Sequence, residues 1–344
     1  MIHLYLGLLL FSFFTTSILV IPFINLLYKL KFQRQKQSTL DFQDKRTPIF
    51  DKFHSAKTGT PVGGGLLVIT AVSILFAFLF PLLKLSNIYI SSNYRIDHEI
   101  LIIFFTFISF ALLGLYDDIL KFFGFDKTGF FGLRMKHKLI LQLIIAIAIS
   151  TFVSFKMGIN FIYIPFFGPL SLGLFSIPLY TIIIVAFANF FNISDGLDGL
   201  SGGLLMIALF AFWFLSNTSL DTPISLFLAL WIGSLIAFLY FNVYPARLWL
   251  GDVGSLSFGA TIAVIAILLG KLVPLIIVGS PFIVEGLSSA IQIFSKVYFH
   301  KKVFPAAPIH LTLQKIGWEE PKIVFRAWLA GIILAIFGLW LGIN

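Results

Sequence analysis

The sequence contains no cysteine and has few charged residues. Without cysteine, disulfide bonds and thiolate chemistry of any kind are excluded. Only 11% of the 344 residues are Asp, Glu, Lys or Arg, whereas 59% are hydrophobic and the mean hydropathy is +1.00. Average soluble domains carry about 25% charged residues. The shortage of charge therefore excludes an ordinary soluble domain and indicates a chain embedded in a membrane.

The hydrophobic residues are grouped in runs of about 20 residues, the length that crosses a bilayer as a helix. We predict an all-α polytopic membrane protein, built as one domain over residues 1–344. The first run begins next to Met1 without a clear cleavage site, so we expect it to remain as a span. The ten predicted spans cover residues 3–28, 62–83, 99–116, 138–156, 171–190, 199–216, 223–243, 254–270, 274–295 and 322–342.

The basic residues lie mainly on one side of this arrangement. Of the 24 Lys and Arg residues, 20 fall in or beside odd-numbered connections between spans. Loops rich in Lys and Arg stay in the cytoplasm, so we predict cytoplasmic odd-numbered loops and two extracytoplasmic termini. This asymmetry accounts for the net charge of +9, and we expect no nucleic-acid partner. The predicted cytoplasmic active-site loops are about 29–61, 117–137, 191–198, 244–253 and 296–321.

One polar stretch, residues 188–203, interrupts the apolar runs and contains no Lys or Arg. It holds Asn189, Asn192, Asp195 and Asp198 together with four glycines. If a helix begins here, the two aspartates are three residues apart and point to the same side. Isolated carboxylates near hydrocarbon are costly, so we expect a divalent cation or a ligand donor as their partner. Capping of a helix N-terminus is the alternative interpretation.

Three more acids belong to two other polar clusters. Asp117 and Asp118 end the third predicted span and are followed by Lys121; on a fraying helix end, both carboxylates can turn toward one site. Asp252 lies between glycines just before the eighth span, which suits a metal ligand or a phosphate contact. Trp249, close to it, could stack on a base. A solvated helix end and an interfacial turn are the alternatives.

Two further segments carry weaker signals. In the Gly-rich residues 54–65, free backbone amides and Lys57 could hold an anion, although a flexible basic loop is the simpler interpretation. His310 lies in the ninth connection, where a solvated histidine is the common case. Glu285, inside the ninth span, requires a partner, such as Lys296 or a donor on another helix.

The five aspartates all fall on one membrane face by the charge argument. A transporter more often places carboxylates near the bilayer midplane. We therefore predict phosphoryl transfer at the membrane boundary, with Mg²⁺ neutralising a diphosphate and a lipid acceptor arriving from the bilayer. An anionic-solute transporter is the alternative from another class. The predicted basic groups around the acids are Lys57, Lys121, Lys136 and His310.

At these positions the chain resembles the polyprenyl-phosphate N-acetylhexosamine-1-phosphate transferases, and most of all their muramoyl branch. The resemblance implies transfer of phospho-MurNAc-pentapeptide from UDP-MurNAc-pentapeptide to undecaprenyl phosphate, giving lipid I and UMP with Mg²⁺. It also implies a homodimer in the lipid bilayer of the bacterial plasma membrane, with its active site facing the cytoplasm. The matching motifs are Asp117-Asp118 with Lys121, the stretch from Asn192 to Gly199, and Phe241-Asn242 through Gly251-Asp252-Val253-Gly254-Ser255.

The resemblance also implies a role for each matching residue. Asp252 would be the metal ligand, and Asp117, with Asp118 beside it, would deprotonate or orient the lipid phosphate. A direct displacement and a covalent aspartyl intermediate both remain open. The substrate-binding residues would be Asn192 and Asp195 in the polar floor, Lys57, Gly196, Leu197, Asp198 and Trp249 around the uridine, Lys121 and Lys136 at the phosphates, and His310.

Two motifs depart from the muramoyl branch. Where its members carry three consecutive histidines, this sequence has His310-Leu311-Thr312, and Thr60-Pro61-Val62-Gly63-Gly64-Gly65 replaces Thr-Pro-Thr-Met-Gly-Gly. A UDP-GlcNAc:undecaprenyl-phosphate GlcNAc-1-phosphate transferase is therefore the alternative within the family. The segments 307–310 and 317–328 favour the muramoyl branch.

Overall fold

The computed structural model of the chain describes residues 2–33, 59–86, 88–123, 133 and 135–343. In these ranges, eight helices are long and apolar enough to cross a membrane, and a bent helix pair would make a ninth. The prediction of an all-α polytopic membrane protein is confirmed. The helices are α1 (Ile2–Lys29), α2 (Gly64–Leu85), α3 (Ile96–Phe122), α4 (Met135–Lys156), α5 (Ser176–Ser194), α6 (Leu200–Thr218), α7 (Thr222–Asn242), α8 (Asp252–Leu268), α9 (Leu272–Val278), α10 (Ser280–Tyr298), α11 (Ile309–Lys315) and α12 (Glu320–Ile343).

The ninth predicted span, residues 274–295, is not one straight helix. It is divided between α9 and α10, whose axes differ by 72°. The break falls at Gly279, and Pro281 lies in the first turn of α10. Proline has no amide hydrogen to continue the helical hydrogen bonds, and its ring clashes with the preceding turn. This local chemistry explains why an apolar run of sufficient length is bent.

Helix α8 lies in the interior of the bundle and packs against α3 and α5. Every residue from Val253 to Leu268 is buried, which agrees with an apolar composition on all faces. Glycine makes the close approach to α3 feasible, because a Cβ atom at Gly114 would lie 2.1 Å from the carbonyl oxygen of Asp252. The backbone of Asp252, the first residue of α8, therefore lies directly against Gly114 of α3.

The described parts of the connections after α1, α3, α5, α7 and α10 lie at one end of the bundle, called here the site end. Trp249, after α7, donates its backbone N–H to Pro61 O, before α2, at 2.9 Å. At the opposite end, Thr222 N donates to Ser91 O at 2.8 Å. A short antiparallel hairpin that we did not predict, Phe161–Ile164 paired with Gly168–Ser171, lies in the connection between α4 and α5. The five aspartates of the predicted clusters therefore lie at the site end, whereas Asp221 and Glu99 form a buried pair of acids at the opposite end.

Asp221 precedes α7 at this opposite end. Its Oδ1 accepts a hydrogen bond from Ile224 N at 3.1 Å, the geometry of an N-cap. The carboxyl group is 1% exposed, and this burial raises its pKa above the usual range. Glu99, which is fully buried, lies beside it. The cap thus keeps a carboxyl group in an environment that disfavours its charge.

We expect Asp221→Ala to lower the free energy of unfolding by about 1 kcal/mol, because α7 loses its N-cap. Asp221→Asn keeps the acceptor and carries no charge beside Glu99, so we expect it to preserve stability. Thermal unfolding of the detergent-solubilised variants measures both effects. An equal loss of stability in the two variants would contradict the capping role.

Candidate active site

Helix α3 carries Asp117 and Asp118 on its last turns, and both side chains are buried. The expectation of a fraying helix end at residue 116 is wrong, because the helix continues to Phe122. Adjacent helical residues point about 100° apart, so the two carboxylates have different partners. Asp118 Oδ2 accepts from Val253 N, at the start of α8, at 3.0 Å. A carboxylate at a helix N-terminus is favoured by the helix dipole.

Asp252 is at the centre of the cluster that these helices form. Its Oδ2 accepts from Lys121 Nζ at 2.7 Å and also from Lys138 Nζ. Both ammonium groups lie 3.0 Å from Asp117 Oδ2 as well. Asn192 Nδ2 lies 3.2 Å from Asp252 Oδ1. Two lysines therefore bridge two carboxylates that come from different helices.

Lys138 takes a place in this cluster that the sequence interpretation did not assign to it. Lys136, the lysine that we predicted to hold phosphate, lies two residues earlier on α4 and is exposed. A sequence signal for Lys138 does exist: Gln142 follows it by one helical turn, so both lie on one face. Gln142 is buried and accepts from Asn189 Nδ2 at 2.6 Å. Lys57, the other predicted lysine, lies outside the described residues.

The turn between α5 and α6 carries Asp195 and Asp198, but not on one helix face as we predicted. Helix α6 begins only at Leu200, after Gly199 in a left-handed conformation with φ of 78°. Asp195 Oδ1 accepts from Ser201 Oγ at 2.5 Å. Asp198 Oδ2 instead accepts from Ala246 N, in the connection after α7, at 3.0 Å. The two carboxylates are thus held by separate elements.

Asp117, Asp118 and Asp252, together with Lys121 and Lys138, are called here the acid–lysine cluster. A cavity of about 180 Å³ lies between this cluster and the turn. The predicted Leu197 and Trp249 both line it. The backbone of Trp249 is fixed by its neighbours, since its carbonyl oxygen accepts from Gly63 N at 3.0 Å and Gly64 N at 2.8 Å. The complete lining is Val62, Asp118, Phe122, Asn192, Asp195, Gly196, Leu197, Asp198, Asn242, Trp249, Gly251 and Asp252.

These backbone bonds also correct the hypothesis about the Gly-rich segment. The amides of Gly63 and Gly64 bind Trp249 O, and Gly65 N donates to Leu250 O at 2.9 Å. They are therefore engaged in tying α2 to the connection before α8, and they are not open to an anion. Residues 63–65 therefore contribute to the site by holding the backbone of Trp249 in place, while residues 54–58 lie outside the described residues.

His310, which we predicted to bind substrate, is buried, so the alternative interpretation of a solvated side chain is wrong. Its Nδ1 lies 2.9 Å from Glu285 Oε2, so Glu285 is paired with a donor on another helix and not with Lys296. The carboxylate can only accept, which makes Nδ1 the donor. The buried Nε2 atom has no hydrogen-bond partner and faces Gly196, where an added Cβ would lie 2.5 Å away. His310 is therefore next to the cavity wall.

The acid–lysine cluster has more carboxylates than ammonium groups: Asp117, Asp118 and Asp252 face Lys121 and Lys138. Among the described residues, no three His, Cys, Asp or Glu side chains are grouped so that they could hold a metal ion by themselves. Mg²⁺ usually keeps several waters and is bound by one or two carboxylates together with substrate phosphates. The donor set therefore fits Mg²⁺ that is shared with a bound diphosphate.

Comparison with known proteins gives a matching family model and a set of named relatives. Residues 100–270, which include all five predicted aspartates, match the family model described as glycosyl transferase family 4. The fold and this match define the class: a polytopic membrane transferase.

Longer matches identify the family within that class. The chain is 35% identical over 331 residues to the phospho-N-acetylmuramoyl-pentapeptide-transferase of Clostridium botulinum strain Eklund 17B, covering 96% of this chain and 94% of the relative. It is 35% identical to the enzyme of that name from Acetivibrio thermocellus, covering 84% and 83%. A Staphylococcus saprophyticus relative of the same name is 33% identical, with 85% and 88% covered. The chain belongs to the phospho-N-acetylmuramoyl-pentapeptide-transferase family.

Proposed function

We propose that this chain transfers phospho-MurNAc-pentapeptide from UDP-MurNAc-pentapeptide to undecaprenyl phosphate, giving lipid I and UMP. An oxygen of the lipid phosphate would form a bond to the phosphorus that carries the sugar, and the bridging oxygen would leave with UMP. The observation that carries the proposal is the position of Asp252: it contacts two lysines and Asn192 at the edge of a cavity lined by Trp249. Phosphate groups and a flat base are the chemistry that this combination suits.

Five residues of the site have a specific role in this proposal. Lys121 and Lys138 would bind the phosphates and offset their charge as the bridging oxygen leaves. Asp117, whose Oδ2 contacts both ammonium groups, would orient the lipid phosphate or accept its proton. Asp252 would be a ligand of Mg²⁺, which would supply further neutralisation of the diphosphate when bound. Trp249 would stack on the uracil.

We also propose that the site end faces the cytoplasm of a bacterial cell and that the protein lies in its plasma membrane. The support is the distribution of charge, because 20 of the 24 basic residues lie in or beside connections at that end. A nucleotide-sugar donor would reach the cavity from the cytosol, while the lipid phosphate would approach along the bilayer. Protease protection of tagged loops in sealed vesicles tests this orientation.

The decisive experiment for the proposed function is UMP release by the detergent-purified protein with undecaprenyl phosphate and Mg²⁺. UDP-MurNAc-pentapeptide and UDP-GlcNAc are offered in separate reactions. We expect release with the muramoyl donor only. Release with UDP-GlcNAc only would assign the chain to the alternative sugar. No release with either donor, combined with solute uptake into proteoliposomes, would support the transporter.

We expect Trp249→Ala to weaken UDP binding by about 1–3 kcal/mol, the range for loss of a base–aromatic stacking contact. Trp249→Phe should retain most of the affinity, because an aromatic face remains. The backbone bonds from Gly63 and Gly64 do not depend on the side chain, so the fold should survive both changes. Calorimetric titration with UDP measures the effect. Equal affinity in the alanine variant and the wild type would contradict stacking.

A further inference from the structure

Helix α12 lies behind the turn between α5 and α6 and forms two hydrogen bonds with its backbone. Glu320 Oε1 accepts from Asp198 N at 2.7 Å. Trp328 Nε1 donates to Gly199 O at 3.1 Å. Neither Glu320 nor Trp328 is part of the cavity lining, whereas Asp198 is. Through these two hydrogen bonds, helix α12 contacts the turn that forms one wall of the cavity.

The front of the same turn is tied to the connection after α7. Asp198 Oδ2 accepts from Ala246 N at 3.0 Å, and Gly199 N donates to Asn242 Oδ1 at 3.2 Å. The turn contains Gly196 and Gly199, which impose little conformational preference of their own. Its position is consequently determined by bonds on two sides: α12 behind it and residues 242–246 in front.

Trp328 also holds the first turn of α6. An added Cβ at Gly203 would lie 2.1 Å from the Trp328 ring, so the indole packs directly on this helix where it has no side chain. A tryptophan that both packs on α6 and donates to Gly199 O links the start of the helix to the turn before it. Movement of this ring would shift the backbone of the cavity wall.

We infer that Glu320 and Trp328 are positioning residues that set the affinity for the nucleotide part of the donor, acting through the turn at residues 196–199. The inference rests on the proposed function, which places the donor nucleotide against that turn. The acid–lysine cluster is held by α3, α4 and α8, together with Asn192 of α5, and neither Glu320 nor Trp328 is bonded to it in the described residues. Loss of either residue should therefore change donor binding while the chemical step is retained.

The test is steady-state kinetics of full-length variants in detergent, with the UDP donor and undecaprenyl phosphate varied separately. For Glu320→Ala we expect the donor KM to rise about ten-fold, as for loss of one charge-assisted hydrogen bond. The kcat and the KM for lipid should stay close to wild type. Glu320→Gln keeps an acceptor oxygen and should restore most of the affinity. Glu319→Ala, at an exposed neighbouring carboxylate, is the matched control and should behave as wild type.

A second variant protects the test against misfolding of the first. Trp328→Phe keeps a ring against Gly203 but removes the N–H that donates to Gly199 O, and we expect the donor KM to rise in the same way. Unchanged donor KM in both Glu320→Ala and Trp328→Phe would overturn the inference, as would a fall in kcat with constant KM. Calorimetric titration of the wild-type protein with UDP distinguishes failure of this inference from failure of the proposed function. Wild-type protein that neither turns over nor binds UDP overturns the proposed function itself.

Discussion

Asp252→Asn is expected to reduce UMP release by about 10³-fold or more, the upper range for removal of one electrostatic contact at a reacting centre. The substitution preserves shape but removes the charge that Lys121 and Lys138 share. The two ammonium groups then keep Asp117 as a shared carboxylate partner but lose Asp252, and Mg²⁺ loses its proposed ligand. Varying Mg²⁺ from zero to saturation shows whether the remaining activity still depends on the metal.

Asp221→Asn is a matched control for this experiment. It makes the same chemical change at the opposite end of the 21-residue helix α7, about 30 Å from the site end at 1.5 Å per residue. We expect it to retain wild-type turnover. Thermal unfolding of Asp252→Asn is measured in parallel, so that loss of activity is distinguished from loss of fold. Near-normal turnover of folded Asp252→Asn would eliminate the metal and catalytic assignments together.

Lys138→Met is expected to lower kcat/KM by about 10²–10³-fold, the effect of deleting one preorganised charge contact. Lys138 Nζ lies 3.0 Å from Asp117 Oδ2 and also binds Asp252. Methionine has similar length and keeps the packing of α4, but it cannot donate. The variant would leave two partly buried carboxylates with the single ammonium group of Lys121 between them. We expect weaker phosphate binding and a less fixed orientation of the two carboxylates.

Lys136→Met tests the neighbouring lysine, which the sequence interpretation assigned to the phosphates. Its side chain is exposed on α4, so we expect activity within about two-fold of wild type, as for exposed charges generally. The same assay, with the donor varied from well below its KM to saturation, gives kcat/KM for both variants and compares them directly. A large loss with Lys136→Met and a small one with Lys138→Met would reverse the assignment.

Much of the architecture was predictable because it follows from local composition. The length of an apolar run and its low charge are sufficient to predict a spanning helix, and each of the ten predicted segments overlaps a helix or the α9–α10 pair. The number of ten spans is too high for the described residues, because the eighth segment corresponds to α8, whose 17 residues are too few to count as a span. The positions of Asp118, Asp195, Asp198 and Asp252 around one cavity also agree with their predicted grouping. That grouping depended only on which end of each span carried the polar residues.

The prediction was less successful for helix breaks, helix ends and side-chain burial, because these depend on contacts with other parts of the fold. The break at Gly279 lies inside an apolar run, and hydropathy does not register a bend. The end of α3 was placed too early, because buried acids resemble a loop until their partners are known. The burial of His310 depends on Glu285, which is 25 residues away in the chain.

The sequence by itself determined the class of the protein, the approximate limits of its helices and the set of acids that meet at one end. These properties arise from residues close together in the chain, so they are visible in composition and motif. Only the tertiary structure decided that Lys138 joins the acids, that Asp195 and Asp198 have different partners, and that α12 supports the turn between them. The physical reason is distance along the chain: Lys138 meets Asp252 across 114 residues, and Glu320 meets Asp198 across 122. Such contacts are selected by helix packing, which no local pattern specifies.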